Sequence, residues 1–589
     1  MSGSQPAVTL DQLPILAKGT VPLFKAGVLG AMSPVAMGKA LKYIYQWEFL
    51  PAGILALGAA RDPYHTAIID DAGSITYSEL HEQTNLLAKA LYRTGVRERD
   101  RVGVLSRNHR GFIMALCAHG RLGTDIVLLN TGASAKQTRA VVKEQKLDLL
   151  FIDEEFIPLL PKGFDQCPVI VNWEENHTTA ALAPEDDEDD AVEYASNVAE
   201  ATASEDHATR NPDWPTLTEV LRSTPHEQKI PTRPRRGRTI ILTSGTTGTP
   251  KGARRPEPRT YLPASSIMSR IPLKHHRGYY VAAPMFHTWG FAQIQLGLAL
   301  RSTLILQRKF SPRGAVKLIE ANRPYAIAIV PTMLRRLLTA VPEKFNPGTQ
   351  VITACGEALP PAVIEETTEK FGKVLYNLYG STEVSWASIA RPEELAEHPT
   401  TAGKPPLATV LKIFGDDGKE LPEGEIGRIF VGNDMLFEGY TRPGVDKETI
   451  QGLVATGDLG YYQDGLLYIA GRSDDMIVSG GENVYPQETE DVLYGLPEVE
   501  EVHVHGIADD EFGQSLCAYV VLKAGHDEDG FKDKAKAEVK EHLARHNVPR
   551  NYVFLDRLPR TAVGKVVPRE LPEVDAATGE IGEPKGSAA

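Results

Sequence analysis

Along residues 62–130 the hydrophobic period alternates between that of a helix and that of a strand, and this alternation narrows the fold most. Thr76 and Glu79 have the spacing of a capping box, and Leu80, Leu87 and Leu91 follow on one helical face until Gly95 ends it. Val102-Gly-Val-Leu then predicts a strand, Gly111–Gly120 a helix and Ile126-Val-Leu-Leu a further strand. Strands that alternate with helices form parallel sheets covered on both faces, so the expected class is α/β with doubly wound sheets.

A later strand signal, Thr239-Ile-Ile-Leu242, runs into Thr243-Ser244-Gly245-Thr246-Thr247-Gly248-Thr249-Pro250-Lys251-Gly252. Glycine lets a backbone approach an anion closely, so a loop of Gly and Thr can offer N–H groups and hydroxyls to a polyphosphate. Lys251 adds a positive charge. The pattern is not a Walker loop, because Pro250 precedes the lysine and Gly252 follows it. Gly and Thr alone would suit an ordinary strand-to-helix turn; ten specified positions in order favour the phosphate cradle. Lys229, Arg233, Arg235, Arg236, Arg238, Arg254, Arg255 and Arg259 lie around it against Glu257 alone, which favours capture of an anion. For Arg233–Arg238 a solvated linker is the better reading. With net charge −14 and no aromatic residues among these basic ones, a nucleic-acid partner is not expected.

The four cysteines (Cys117, Cys167, Cys355 and Cys517) are far apart, which argues against disulfides and structural zinc and fits a cytoplasmic protein. No apolar stretch reaches membrane-spanning length. Residues 1–60 form an amphipathic extension in which Lys18, Lys25, Lys39 and Lys42 outnumber Asp11 and Glu48. Two readings stay open for it: peripheral contact with the inner face of a membrane, or packing on the main body. Residues 184–215, with Glu185-Asp-Asp-Glu-Asp-Asp190, predict a disordered acidic insertion. After residue 400, turns at Asp417-Gly418 and Asp464-Gly465 predict hairpins. Beyond Gly471 comes a small α+β unit with strands near Val502–Ile507, Ala518–Leu522 and Val553–Leu555 and a helix around Lys532–Arg545.

The phosphate loop is followed, in order, by Pro284-Met-Phe-His287, Tyr379-Gly380-Ser-Thr382-Glu383, Thr456-Gly-Asp458, Gly471-Arg472-Ser-Asp474 and Gly564-Lys565. Over about residues 62–570 the chain thereby resembles the adenylate-forming superfamily, most of all actinobacterial fatty-acid–CoA ligases. The resemblance implies a large domain over 61–472, with a small β-barrel at 400–470, and a mobile lid domain over 473–589 that turns about Asp474. It implies ATP, Mg²⁺ and coenzyme A as ligands. The triphosphate would meet Thr243–Gly248 and Lys251, and adenine would meet Gly356, Glu357, Asn377, Tyr379 and Gly380. The ribose would meet Asp458 and Arg472, and Thr243 and Glu383 would hold the metal. Lys565, Thr246, Thr382, Glu383 and His287 would act in catalysis, and Gly480, Gly481, Glu482 and Asn483 would serve coenzyme A after rotation.

Trp289, Phe291, Val330 and Val384 are candidates for the wall of an acyl tunnel. The chemistry of single residues agrees with several roles: a tyrosine face suits a purine, a carboxylate can take two ribose hydroxyls, and an ammonium relieves repulsion between two anions. The implied activity is the joining of a medium- or long-chain fatty acid to coenzyme A through an acyl-adenylate. Alternatives are an aryl or short-chain acid, or delivery of the adenylate to a carrier protein. A homodimer is compatible with the sequence.

Overall fold

A computed structural model describes residues 13–174, 198, 201–202, 206–243, 251–343, 345–442, 444, 446–472, 476–479, 482–509, 513–526, 528, 530–561, 564–576 and 578–584. The capping box forms: the Glu79 N–H donates to Thr76 Oγ1 at 3.2 Å and the Thr76 N–H donates to Glu79 Oε2 at 2.8 Å. It starts the helix Tyr77–Arg93, which buries Leu80, Leu87 and Leu91.

The expected α/β class is found. A six-stranded sheet runs Val169–Trp173, Leu149–Asp153, Arg101–Leu105, Asp125–Leu128, Thr239–Thr243, all parallel, and ends on antiparallel Lys251–Arg255. An eight-stranded sheet has Thr66–Asp70, Thr303–Leu306, Gly278–Val281, Ala326–Ile329, Val351–Cys355 and Leu375–Tyr379 in parallel, with antiparallel edges Gly73–Thr76 and Ser388–Ala390. Helix Arg110–Leu122 joins them: Phe112, Ile113 and Leu116 share one buried cluster with Val104 and Leu128 of the first sheet and Val281 and Leu304 of the second. Apolar side chains over its whole circumference make it a core helix.

The small β-barrel expected over 400–470 is an open antiparallel sheet, in the order Thr401–Gly403, Leu466–Arg472, Leu453–Gln463, Gly427–Gly432, Val410–Phe414. Closure would need its terminal strands to pair; instead Lys404, beside the first of them, bridges to Ile389 of the large sheet. In the C-terminal unit Val499–Asp509 pairs with Gly513–Leu522, which also takes Asn551–Phe554 in parallel. Leu493 of helix Pro486–Tyr494 and Ala535 and Val539 of helix Phe531–His542 cover that sheet.

At the N-terminus lie α1 (Leu13–Ala26), α2 (Pro34–Trp47) and α3 (Pro51–Arg61). The apolar run Phe49–Ala60 becomes α3, a helix packed into the body through Leu55 and Ala56. The expectation of disorder over 184–215 fails for its last part. In residues 206–215 the Ala208 N–H donates to the Leu160 carbonyl at 2.9 Å, Arg139 pairs with Asp206 at 2.8 Å, and Trp214 stands edge-on to Phe164. Apolar anchors outside the acidic run account for this; Glu185–Asp190 itself lies outside the described residues. Among the described residues no helix is long and apolar enough to cross a membrane.

Candidate active site

The carboxyl ends of the parallel strands converge on a cavity of about 1940 Å³. Tyr379, Cys355 and Val330 stand at or just beyond three of those ends, the usual place for a ligand in open α/β sheets. Lys565 of the C-terminal unit borders the same cavity.

Asn377, Tyr379 and Gly380 form one wall, with Gly356 and Glu357 beside them. The Tyr379 hydroxyl donates to Asp458 Oδ2, and burial followed by the Asp458 charge holds its pKa well above the usual value, so it stays a donor. The hairpin Leu453–Gln463/Leu466–Arg472 sets Asp458 opposite Arg472, with Nη1 3.7 Å from Oδ1. The Asp458 N–H donates to Thr456 Oγ1 at 3.1 Å, which fixes the turn. A carboxylate held in this way keeps lone pairs for two further donors.

Glu383 is 8% exposed. Its Oε1 accepts from the Tyr440 hydroxyl at 2.7 Å and its Oε2 from Ser381 Oγ at 2.9 Å. Each oxygen keeps a further lone pair, and Glu383, a hard donor suited to magnesium, lines the cavity. No cluster of three metal-ligating side chains occurs among the described residues. Mg²⁺ takes one or two carboxylates and otherwise phosphate and water. Thr288 Oγ1 donates to Thr382 Oγ1 at 3.2 Å. Arg255 borders the same region: its Nη2 donates to Ser385 Oγ at 2.6 Å, while Nε and Nη1 are buried without a hydrogen-bond partner among the described residues. Burial brings its pKa down to about 10, and it remains a cation at neutral pH.

His287 precedes helix Thr288–Ala299 as its N-cap residue, and its buried Nε2 has no hydrogen-bond partner among the described residues. Burial, then the Lys565 charge, lowers its pKa to about 3, so the ring is neutral. The same ammonium acts on Cys355 and Glu357, although burial outweighs it and raises both pKa values.

The Lys565 loop is seated by its own sequence. Gly564 has φ +86, and a Cβ there would stand 2.2 Å from Glu357 Oε1 and 2.3 Å from Thr332 Oγ1, so glycine permits the close approach. Arg560 donates to Glu501 at 3.2 and 3.1 Å and to the Gly564 carbonyl, which closes the turn. Lys565 makes no ion pair among the described residues.

Ser244, Gly245, Thr246, Thr247, Gly248, Asp474, Gly480 and Gly481 lie outside the described residues. Thr243 pairs with Lys251, so the next described element after strand Thr239–Thr243 is the antiparallel strand Lys251–Arg255. Farther along the chain Glu482 pairs with Ser479 and Asn483 with Val478.

One arm of the cavity is walled largely by apolar side chains. Phe291 and Leu296 supply one side, Ala264 and Ile267 another, and Leu23 of α1 and Leu57 of α3 a third. Trp289 and Val330 border it as expected; Val384 does not, and packs with Ile413 and Val431 inside the antiparallel sheet. Sequence reasoning missed Arg255, Tyr440 and Arg560 as site groups. Arg255 was visible only as part of a basic run, and Arg560 stands within the Pro559–Lys565 frame. Tyr440 reaches Glu383 from a distant loop and carries no local signal.

The profile of AMP-binding enzymes matches residues 55–441, and that of the AMP-binding enzyme C-terminal domain matches 488–565. The chain is 30% identical to a 2-succinylbenzoate–CoA ligase of Bacillus licheniformis over 513 residues, 86% of this chain and 97% of that one. It is 29% identical to a feruloyl-CoA synthase of an Amycolatopsis species, over 87% of this chain and 96% of the other. It also resembles the solved o-succinylbenzoate CoA synthetase of Bacillus subtilis in complex with its acyl-adenylate intermediate, with TM-score 0.70 and 26% identity over 87% of this chain and 96% of that one. The same enzyme has been solved with ATP and magnesium ion, again at TM-score 0.70 and 26% identity, over 87% and 98%. Matched over most of its length by the family profile, and carrying the family's motifs around one cavity, the chain belongs to the AMP-binding enzymes.

Proposed function

We propose that the chain is an ATP-dependent acid–CoA ligase that works through an acyl-adenylate. The observation that carries this reading is the meeting of Lys565 with Tyr379, Glu383 and Asp458 around one cavity. In the first step a carboxylate oxygen attacks the α-phosphorus of ATP. The bond to the β-phosphate oxygen breaks, and pyrophosphate leaves with the bonding electrons. Lys565, which borders the cavity, would offset the charge shared by nucleophile and phosphate. Thr382 and Thr246 would donate to phosphate oxygens, and Ser244, Gly245, Thr247, Gly248 and Lys251 would hold the leaving group. Tyr379 would stack on adenine beside Asn377, Gly380, Gly356 and Glu357, and Asp458 with Arg472 would take the ribose. Magnesium at Glu383 and Thr243 would neutralise phosphate charge when bound. Neutral His287 has a role in orienting the acid rather than in transferring a proton.

In the second step the thiol sulfur of coenzyme A attacks the acyl carbon. The acyl C–O bond breaks, AMP leaves, and the thiol proton passes to solvent. AMP is a good leaving group where a free carboxylate has none, which is why two steps succeed. We place the boundary of a mobile unit, 473–589, at residue 472 with Asp474 as hinge, so that rotation would bring Gly480, Gly481, Glu482 and Asn483 to the thiol.

For the acid, the relatives named for succinylbenzoate and ferulate support an aryl substrate. The apolar arm that continues to α1 and α3 favours a second reading, a fatty acid. Pyrophosphate and AMP release, measured over aryl acids and alkanoic acids of increasing length with and without coenzyme A, tests both. Pyrophosphate is expected with acid alone, and sustained AMP release only with coenzyme A. An enzyme that converts no ATP to AMP with any acid would overturn the reading.

A further inference from the structure

Helices α1 and α2 precede the part of the chain matched by the family profile, which begins at residue 55, yet they complete the cavity. Their inner side is fixed to the body. Tyr261 Oη donates to the Leu16 carbonyl at 3.0 Å and Ser265 Oγ to the Gly19 carbonyl at 2.8 Å. Arg61 Nη1 donates to the Val28 carbonyl at 2.6 Å, and the His275 N–H to the Ala26 carbonyl at 2.9 Å. Ser33 caps α2, and Ala36, Ala40 and Trp47 form its buried stripe.

The outer side has the opposite character. Phe24 is 72% exposed and Val35 70%, with Val21, Leu41 and Tyr45 also more than half exposed. Several large apolar side chains this exposed on two successive helices are uncommon on a soluble surface and mark a contact. Lys18, Lys25, Lys39 and Lys42 are exposed among them, and residues 13–47 contain no Asp or Glu although the whole chain has net charge −14. Leu29, Met37, Leu41 and Ile44 are both exposed and part of the cavity wall, so the apolar arm reaches the surface inside this patch.

We infer that the outer face of α1 and α2 docks on an anionic lipid bilayer and opens the apolar arm of the cavity to it, so that a hydrophobic acid enters from the membrane. Docking stands on the patch alone, and only the identity of the entering molecule rests on the ligase reading. Exposed apolar side chains interspersed along α1 and α2 with exposed lysines, with no acid among them, complement a surface of negative headgroups. A two-fold contact with a second copy would set this lysine-bearing face against itself, which like-charge repulsion opposes.

The test is co-sedimentation of the full chain with phosphatidylcholine vesicles and with vesicles carrying phosphatidylglycerol, without ATP or acid. The wild type is expected to bind the anionic vesicles, more weakly at high salt, and to prefer them to the neutral ones. The double variant Phe24→Glu/Val35→Glu changes two exposed side chains that do not border the cavity. Each charge near an anionic surface alters partitioning about fivefold, so binding is expected to fall about thirtyfold or more. The variant keeps pyrophosphate release with a water-soluble acid and slows only with a long-chain acid supplied in vesicles. Equal vesicle binding by wild type and variant overturns the inference, as does a wild type that dimerises through this face and ignores vesicles. A chain that binds vesicles but releases no pyrophosphate would refute the ligase and leave the docking surface standing.

Discussion

Replacing Lys565 by Ala removes the ammonium that the C-terminal unit brings to the cavity. The side chain stands on a loop fixed from behind: Gly564 lies against Glu357 and Thr332, and Arg560 is tied to Glu501. The fold of the loop therefore survives the substitution and only the ammonium is lost. Its charge is felt by His287 and Cys355 in the cavity. A unit charge about 4 Å from a developing negative charge contributes about 4 kcal/mol at an effective dielectric of about 20. Since about 1.4 kcal/mol is tenfold in rate, adenylation should slow by about three orders of magnitude. Removal of a preorganised donor in other active sites costs about 10²–10³ in kcat, the same range. The assay compares pyrophosphate release from acid and ATP with thioester formation from a supplied acyl-adenylate and coenzyme A. Loss of the first with the second nearly intact is expected. An equal loss of both, or a loss under fivefold in adenylation, would refute the assignment.

Asp458→Asn removes the charge that accepts from Tyr379 and faces Arg472, and charged hydrogen bonds contribute about 1.5–3 kcal/mol, so the apparent KM for ATP should rise about ten- to a hundredfold. Steady-state kinetics against ATP checks this, and an unchanged KM would exclude Asp458 from nucleotide binding. Gly564→Ala sets a Cβ into Glu357 at a positive φ, and a displacement of about 1 Å costs about a hundredfold in rate. Adenylation should therefore fall while the melting temperature stays near that of the wild type; full activity would mean that the loop works in another position. Burial lowers the pKa of His119 to about 4 and of His287 to about 3, so below about pH 6.5 the unfolded chain binds protons that the folded one refuses. Stability should fall as pH drops from 6.5 toward 4, by up to about 1.4 kcal/mol per pH unit for each histidine. Urea melts of His119→Gln should show a shallower decline, and an identical slope would refute the contribution of His119.

What was local in this molecule was legible in its sequence. The Thr76–Glu79 cap, the alternation of strands and helices and the Asp464-Gly465 hairpin follow from backbone propensity and hydrophobic period, which act over a few residues. The turn fixes the register from Gln463/Leu466 to Gly460/Ile469, and a one-residue bulge next to Gly460, which the turn does not dictate, then sets Asp458 opposite Arg472. Long-range placement was not legible. Nothing local announces that Tyr440 would reach Glu383, that Arg255 would be buried beside the cavity, or that 206–215 would pack on Leu160. The open edge of the 400–470 sheet was settled by a neighbouring sheet, and the outer face of α1 and α2 by which stripe the body covers. Sequence determined the elements and the motif chemistry, since both depend on near neighbours. Tertiary structure alone decided which charges share a cavity and where that cavity meets the surface, since burial and distance arise only when remote segments pack.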